Sequence, residues 1–264
     1  MTSFTLERLQ LATPRLTMAY ARVPWDSAAF GFGVGQILAL QVIDPAADCA
    51  EAFASFERWR DAEAIELVSC RLHHLQLHES MLLESRGFRF IELVYHPRFD
   101  TVASFDGVDE GIHVSAASEA DLPVLEGIAR SAFSTGRYEL DHRLPATAGR
   151  ERYASWVRSS LADSTQRVLK AEENGAIVGF FIVETRPDRG CRWHLTAIAN
   201  EHQGRGVGKR VWRAMLGLHR AEGITVVDTV VSAHNLAVLN LYAGLGFRLR
   251  EAEMTFHWLR DRDR

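Results

Sequence analysis

Cysteine is scarce in this chain. Cys49, Cys70 and Cys191 are odd in number, widely spaced and in no C-x-x-C arrangement, which excludes a disulfide framework and a zinc-site spacing and leads us to expect a reducing, cytoplasmic setting. Long apolar runs are missing too. Stretches such as Ile177–Val183 fall well short of the ~20 residues of a membrane helix, and Met1–Leu11 lacks the apolar centre of a secretory signal. Nor is there an excess of positive charge: 30 Lys and Arg face 34 Asp and Glu, a formal net charge of −4, so no basic field is available to hold a nucleic-acid backbone. Small anions stay open as guests, because local backbone amides bind them whatever the net charge. With 264 residues, 47% hydrophobic and 24% charged, the chain has the composition of a globular protein, and its length suits two ordinary domains.

Helical and strand patterns alternate, which predicts an α/β (α+β) architecture. Residues 100–111 are rich in Asp and Gly and lack periodicity, which places a linker there and domains at 1–105 and 106–264. In the second domain Ser118 and Asp121 form a capping-box-like helix start, and Asn174-Gly175 between two apolar runs reads as a hairpin turn. From the strand at Arg192–Ala199 the pattern continues as helix 207–220, strand 224–231, helix 235–245 and strand 247–258. On the first of these helices Val207, Val211, Met215 and Leu218 share a face.

Between that strand and that helix lies Gln203-Gly204-Arg205-Gly206-Val207-Gly208-Lys209. Three glycines at a strand-to-helix turn let backbone approach a ligand, and the first N–H groups of the helix point at it with the positive end of the dipole behind them. A pyrophosphate is the guest this suits. A Walker loop would need a glycine where Lys209 stands, and the dinucleotide pattern G-x-G-x-x-G would need one at Lys209 or Val211. What remains is Q-x-x-G-x-G.

That pattern, following Leu195-Thr196-Ala197-Ile198-Ala199, resembles the acetyl-CoA signature of the GNAT acetyltransferases. The segment Asn235 to Tyr242, followed by Gly246-Phe247, is similar to that family's second signature, with Val238 in place of its usual Ala. The resemblance implies a central mixed sheet flanked by helices and acetyl-CoA as co-substrate. Its binding residues would be Thr196, Ala197, Ile198, Gln203, Gly204, Arg205, Gly206, Val207, Gly208, Lys209, Asn235 and Tyr242. Ile198 would offer its backbone N–H to the oxyanion, and Tyr242 would protonate the departing thiolate, since phenol and thiol pKa values of about 10 and about 8.5 are close enough for transfer. The base is left open between His194, taken to share strand parity with Ile198, Glu184 and water. His73, His74 and His219 have no ligand spacing, so no metal is expected.

Ile65–Glu92 aligns without a gap on Ile224–Glu251, with eight of twenty-eight positions identical, Gly87-Phe88-Arg89 matching Gly246-Phe247-Arg248. Residues 1–105 are therefore expected to be a smaller, degenerate GNAT-like domain, with Leu83 where the second copy has Tyr242. Trp25 to Gly31, Ala132 to Tyr138 and Tyr153 to Trp156 are similar to segments of the dTDP-fucosamine acetyltransferase family. That similarity implies a small-molecule amine acceptor on a dTDP-linked sugar, bound by Arg137, Tyr138, Tyr153, Trp156, Trp25 and Phe30 under a flap within 137–156. A GNAT enzyme for another amine and a non-catalytic acyl-CoA sensor are the alternatives, and homodimer formation is left open.

Overall fold

The computed structural model describes residues 6–44, 49–107, 111–145 and 147–260. The readings of Met1–Leu11, the linker 100–111 and the flap within 137–156 therefore lie partly outside the described residues. The elements run β1 (Leu9–Ala12), β2 (Leu16–Arg22), α1 (Pro24–Phe30), β3 (Gly33–Val42), α2 (Ala50–Ala62), β4 (Ile65–His73), α3 (Leu77–Ser85) and β5 (Arg89–Phe99). They continue with β6 (His113–Ala116), α4 (Leu122–Ala132), α5 (Arg137–Leu140), α6 (Ala148–Ala162), β7 (Arg167–Glu173), β8 (Ala176–Thr185) and β9 (Gly190–Ile198). The last are α7 (Val207–Ala221), β10 (Val226–Thr229), β11 (Val231–Ser232), α8 (Leu236–Leu245) and β12 (Arg248–Leu259). Two units separate: Met1–Val94 with Leu140–Pro145 and Ala252–Arg264, and Tyr95–Glu139 with Ala146–Glu251. The division thus falls at Val94/Tyr95, inside β5, and recruits the end of β12 to the first unit. A single cut at 105/106 does not describe it.

In the first unit the strand order is β1-β2-β3-β4-β12, antiparallel except for the β3–β4 pair. Phe53, Phe56 and Phe88, all fully buried, anchor its core, each worth about 1.5–3 kcal/mol by burial. The β3–β4 ladder ends at Ile37 opposite Cys70, although β3 runs on to Val42. Side chains of the next turn and helix occupy the edge left over. Gln76 Nε2 donates to Leu40 O at 2.9 Å while its Oε1 accepts from His73 N at 3.0 Å, and Glu79 Oε1 accepts from Val42 N at 2.9 Å. A buried cluster lies elsewhere in this unit: Asp141 accepts from Arg143 and pairs with His257 Nδ1 at 2.9 Å. Burial pushes the Asp141 carboxyl up, but hydrogen bonds from His257 and Arg143 outweigh it and hold the group well below the usual carboxylate range. Residues 140–145, expected as part of a flap, are tied down by this cluster.

In the second unit the order is β5-β10-β9-β8-β7-β6, with only β9 and β10 parallel among the printed neighbours. One core gathers α7 and α8 residues such as Val211, Met215 and Tyr242 around Trp193 and Phe181; a second gathers Leu125, Tyr153 and Val157 of α4 and α6 around Phe180, Ile182 and Leu195. The expected hairpin turn is present, with Asn174 and Gly175 at φ 51° and 79°. Ser118 and Asp121 form the expected capping box. The expected strand 224–231 is broken into β10 and the short β11, both of which pair with β5.

Candidate active site

The parallel ladder between β9 and β10 stops at Trp193 opposite Thr229, yet β9 continues to Ile198 with its other edge paired to β8. Residues 195–198 thus have one edge in the sheet and one facing an opening. Thr229 closes the head of that opening, its Oγ1 donating to Trp193 O at 3.1 Å. At the far end Ala199 N donates to Val178 O at 2.9 Å. Because N–H groups alternate sides along an antiparallel strand, those of Ile198 and Thr196 point into the opening.

A β-bulge re-aims this strand. The β8–β9 register shifts between Ile182/Val183, which pair with Leu195 and Trp193 and leave His194 without an opposite residue. Trp193 and Ile198 therefore pack with the α7 core, and Leu195 and Ala197 with the α4/α6 core, where unbroken alternation would put Trp193 and Leu195 on one face. The expected shared parity of His194 and Ile198 is thereby corrected. His194 lies on the α6 side, its Nε2 2.7 Å from Glu184 Oε2 and its ring 6.4 Å from that of Trp156. Burial lowers the His194 pKa below its ordinary 6.5, against the upward pull of the Glu184 hydrogen bond, so the imidazole is neutral near pH 7 and able to accept a proton.

Beyond Ile198 the chain turns into α7. Gly204 and Gly206 take φ 72° and 78°, and no atom lies within 4 Å of where a side chain would start. Gly206 is the N-cap of α7 and brings no side-chain cap, so the first-turn N–H groups face an open cradle with the helix dipole behind them. Arg205 and Lys209 are exposed beside it, and Val207 is buried and anchors the helix. Gln203 braces the turn: its Nε2 donates to Ile198 O and to Asn200 Oδ1, both at 2.9 Å. The strand edge at Thr196–Ile198 and this cradle lie on one continuous segment. They fit a molecule that carries both amides and a diphosphate, as acetyl-CoA does.

Tyr242 is 1% exposed, and its hydroxyl is set among Thr229, Trp212 and Thr196. Burial raises its pKa above 10.0, with those three neighbours pulling the other way. Trp212 Nε1 is close enough to contribute but makes no well-formed hydrogen bond among the described residues. The phenol is consequently held protonated at the head of the opening. Asn235 caps α8, its side chain accepting from Val238 N at 3.2 Å.

On the α6 side, Tyr138 and Tyr153 are buried, Tyr153 stacks on Phe133 at 4.4 Å, and burial pushes its hydroxyl up to about 12. Arg137 donates to the Tyr138 hydroxyl at 2.7 Å, and Trp156 is half-buried. In the first unit Trp25 is 40% exposed, and Phe30 packs on Phe32 at 5.5 Å. Sequence reasoning missed Thr229, Gly179 and Arg192. Gly179 faces Ile198 across the ladder, where a β-carbon would stand 2.5 Å from Ala197 O. No motif marks any of the three; Thr229 and Arg192 are placed only by the β9–β10 pairing, and Gly179 only by the β8–β9 pairing.

Residues 132–247, which hold all of these strand-opening features, match the Acetyltransferase (GNAT) family. The second unit therefore carries a GNAT acetyltransferase domain, with the mixed sheet flanked by helices that this fold has. Two curated relatives are similar. One is the spore coat polysaccharide biosynthesis protein SpsD of Bacillus subtilis, 23% identical over 52% of this chain and 47% of that protein. The other is a dTDP-fucosamine acetyltransferase of Escherichia coli, 28% identical over 67% of this chain and 73% of that protein. The chain thus spans about half the length of the first and about three quarters of the second. Among solved structures, a tandem GNAT protein from the clavulanic acid biosynthesis pathway has the same fold over 94% of this chain and 80% of its own, with TM-score 0.59 at 16% identity. No helix among the described residues is long and apolar enough to cross a membrane.

Proposed function

We propose that this protein transfers the acetyl group of acetyl-CoA to a primary amine, the 4-amino group of a dTDP-linked amino-deoxy sugar. The observation that carries the transfer is the unpaired edge of Thr196–Ile198, bounded by the buried Tyr242 hydroxyl and by the uncapped start of α7. Acetyl-CoA supplies the acetyl group as a thioester. Gly204–Lys209 hold its phosphates, the Ile198 N–H donates to the thioester oxygen, and Tyr242 gives its proton to the departing sulfur. His194, oriented by Glu184, takes the proton from the attacking amine. The sugar acceptor is supported by the likeness to a dTDP-fucosamine acetyltransferase over two thirds of the chain. The three cysteines are buried and none forms a disulfide, which suits a reducing cytoplasm.

We also read the first unit as a degenerate copy of the second. The β3–β4 ladder ends at Cys70, the residue that the repeat register matches to Thr229, where the β9–β10 ladder ends. In the first unit Gln76 and Glu79 fill the strand edge that the second leaves open, and Leu83 stands in place of Tyr242. The first unit is then non-catalytic.

The test is a coupled CoA-release assay of the full chain with acetyl-CoA against dTDP-4-amino-4,6-dideoxy sugars, polyamines, amino acids and peptides. Turnover confined to the nucleotide sugars is expected. Turnover on another amine discards the sugar, and acetyl-CoA binding without turnover on any amine discards the enzyme reading in favour of a sensor.

A further inference from the structure

In the second unit, strands β5, β9 and β10, the turn that follows β8 and the start of β12 surround a concavity of about 540 Å³ lined by four guanidinium groups. Arg98, Arg186, Arg192 and Arg250 line it, against the carboxylates Asp228 and Glu251. Three of the arginines are locked by neighbours. Arg98 donates to Asp100 at 2.5 Å and to Asp228 at 3.2 Å, Arg250 to Asp100 at 2.7 Å, and Arg186 to Asp228 at 2.6 Å. Asp228 is thus clamped between two arginines, and Asp100 between two. These pairs fix the orientation of the guanidinium planes and leave N–H groups of each over.

Arg192 is different. It sits directly across the β9–β10 ladder from Asp228, yet it makes no hydrogen bond or ion pair among the described residues, while Asp228 is already engaged on both sides. It is two residues before the bulged His194, and its charge is felt there. The concavity shares Thr229 with the head of the strand opening. An immobilised set of arginines around one free planar fork is the chemistry that recognises phosphoryl oxygens in two-point fashion, whereas a lysine or a helix start offers only a point charge or single N–H groups.

We propose that this concavity is the subsite for the diphosphate of the acceptor, with Arg192 making the direct two-point contact and Arg98 and Arg186 completing the field. The proposal rests on the reading of the acceptor as a nucleotide-linked amine and assigns to this side of β9 an anion site separate from the α7 cradle. Arg192 is then a specificity-determining residue: its fork positions the sugar amine through the phosphates, beside His194.

The experiment is calorimetric titration of thymidine diphosphate into the full chain saturated with CoA, so that the α7 cradle is filled. Wild type, Arg192→Gln, Arg192→Lys and the exposed control Arg167→Gln are compared, with acceptor KM measured in parallel. Loss of a charge-assisted two-point contact is expected to weaken thymidine diphosphate by roughly tenfold or more. Arg192→Lys should recover part of the affinity, and CoA affinity and the control should be unchanged. Failure of thymidine diphosphate to bind wild type, or equal binding to Arg192→Gln, overturns the subsite. The two readings separate cleanly. Affinity that depends on Arg192 without turnover of the dTDP-sugar upholds the subsite and discards the acceptor; turnover of that sugar with KM and diphosphate affinity unaltered in Arg192→Gln upholds the acceptor and discards the subsite.

Discussion

Gly179→Ala tests whether β8 and β9 approach as closely as the active-site geometry requires. A β-carbon at Gly179 would stand 2.5 Å from Ala197 O, 2.8 Å from Ile198 Cδ1 and 3.4 Å from Ile198 Cα. The Ile198 side chain can rotate away, but the Ala197 carbonyl is backbone in a paired strand and cannot. Relief therefore requires the end of β9 to shift by several tenths of an ångström. Such overpacking costs about 1–3 kcal/mol, offset by roughly 0.5–1 kcal/mol from the stiffer unfolded chain. The net loss of up to about 2.5 kcal/mol, centred a little above about 1 kcal/mol, lowers Tm by about 2–5 °C at that centre. The displaced segment is the strand edge proposed to bind acetyl-CoA, so kcat/KM for acetyl-CoA should fall by about 10²-fold. The matched control is Gly127→Ala on the exposed face of α4, where no atom lies within 4 Å of the added carbon; it should stabilise by roughly 1 kcal/mol through helix propensity. Calorimetric melting and steady-state kinetics of the two variants give the answer. A Gly179→Ala protein that melts no lower than wild type and keeps its kcat/KM refutes the reasoning.

Tyr242→Phe should keep acetyl-CoA affinity and lose about 10²–10⁴-fold in kcat, as removal of a general acid does; unchanged turnover moves the proton donor elsewhere. With the His194 pKa lowered below 6.5, the base is deprotonated at neutral pH, and acceptor kcat/KM should decline only as pH falls below that value. His194→Gln should abolish this acid limb, and its persistence would assign the limb to another group. Equilibrium dialysis should find one acetyl-CoA per chain, because Gln76 and Glu79 occupy the strand edge of the first unit; two equivalents would discard the reading of that unit as degenerate.

Where the chemistry depends on local sequence it was legible. The glycine turn follows from Gln203 to Gly208 alone, because a strand-to-helix step with glycine at φ 72° and 78° is a property of a few consecutive residues. Helix α7 and its buried stripe of Val207, Val211 and Met215 follow from spacing, and the repeat of β4-α3-β5 was visible as a register. The same reasoning gave His194 the wrong face, since one extra residue in β9 inverts the alternation and nothing in Trp193-His194-Leu195 announces it. The domain boundary drawn at the aperiodic, Asp- and Gly-rich residues 100–111 likewise had no means of following Ala252–Leu259 into the first unit.

The sequence by itself determined most helices and strands of the second unit, the glycine turn before α7 and the tyrosine that follows it, because those depend on periodicity and on residues close in the chain. Tertiary structure alone decided that β9 and β10 separate after Trp193 and Thr229, that His194 meets Glu184, that Gln76 and Glu79 plug one strand edge while its counterpart stays open, and that Arg192 is left without a carboxylate among the described residues. Each of these is a pairing between residues distant in sequence, set by strand register and by competition for partners, and neither register nor competition is written in any single segment.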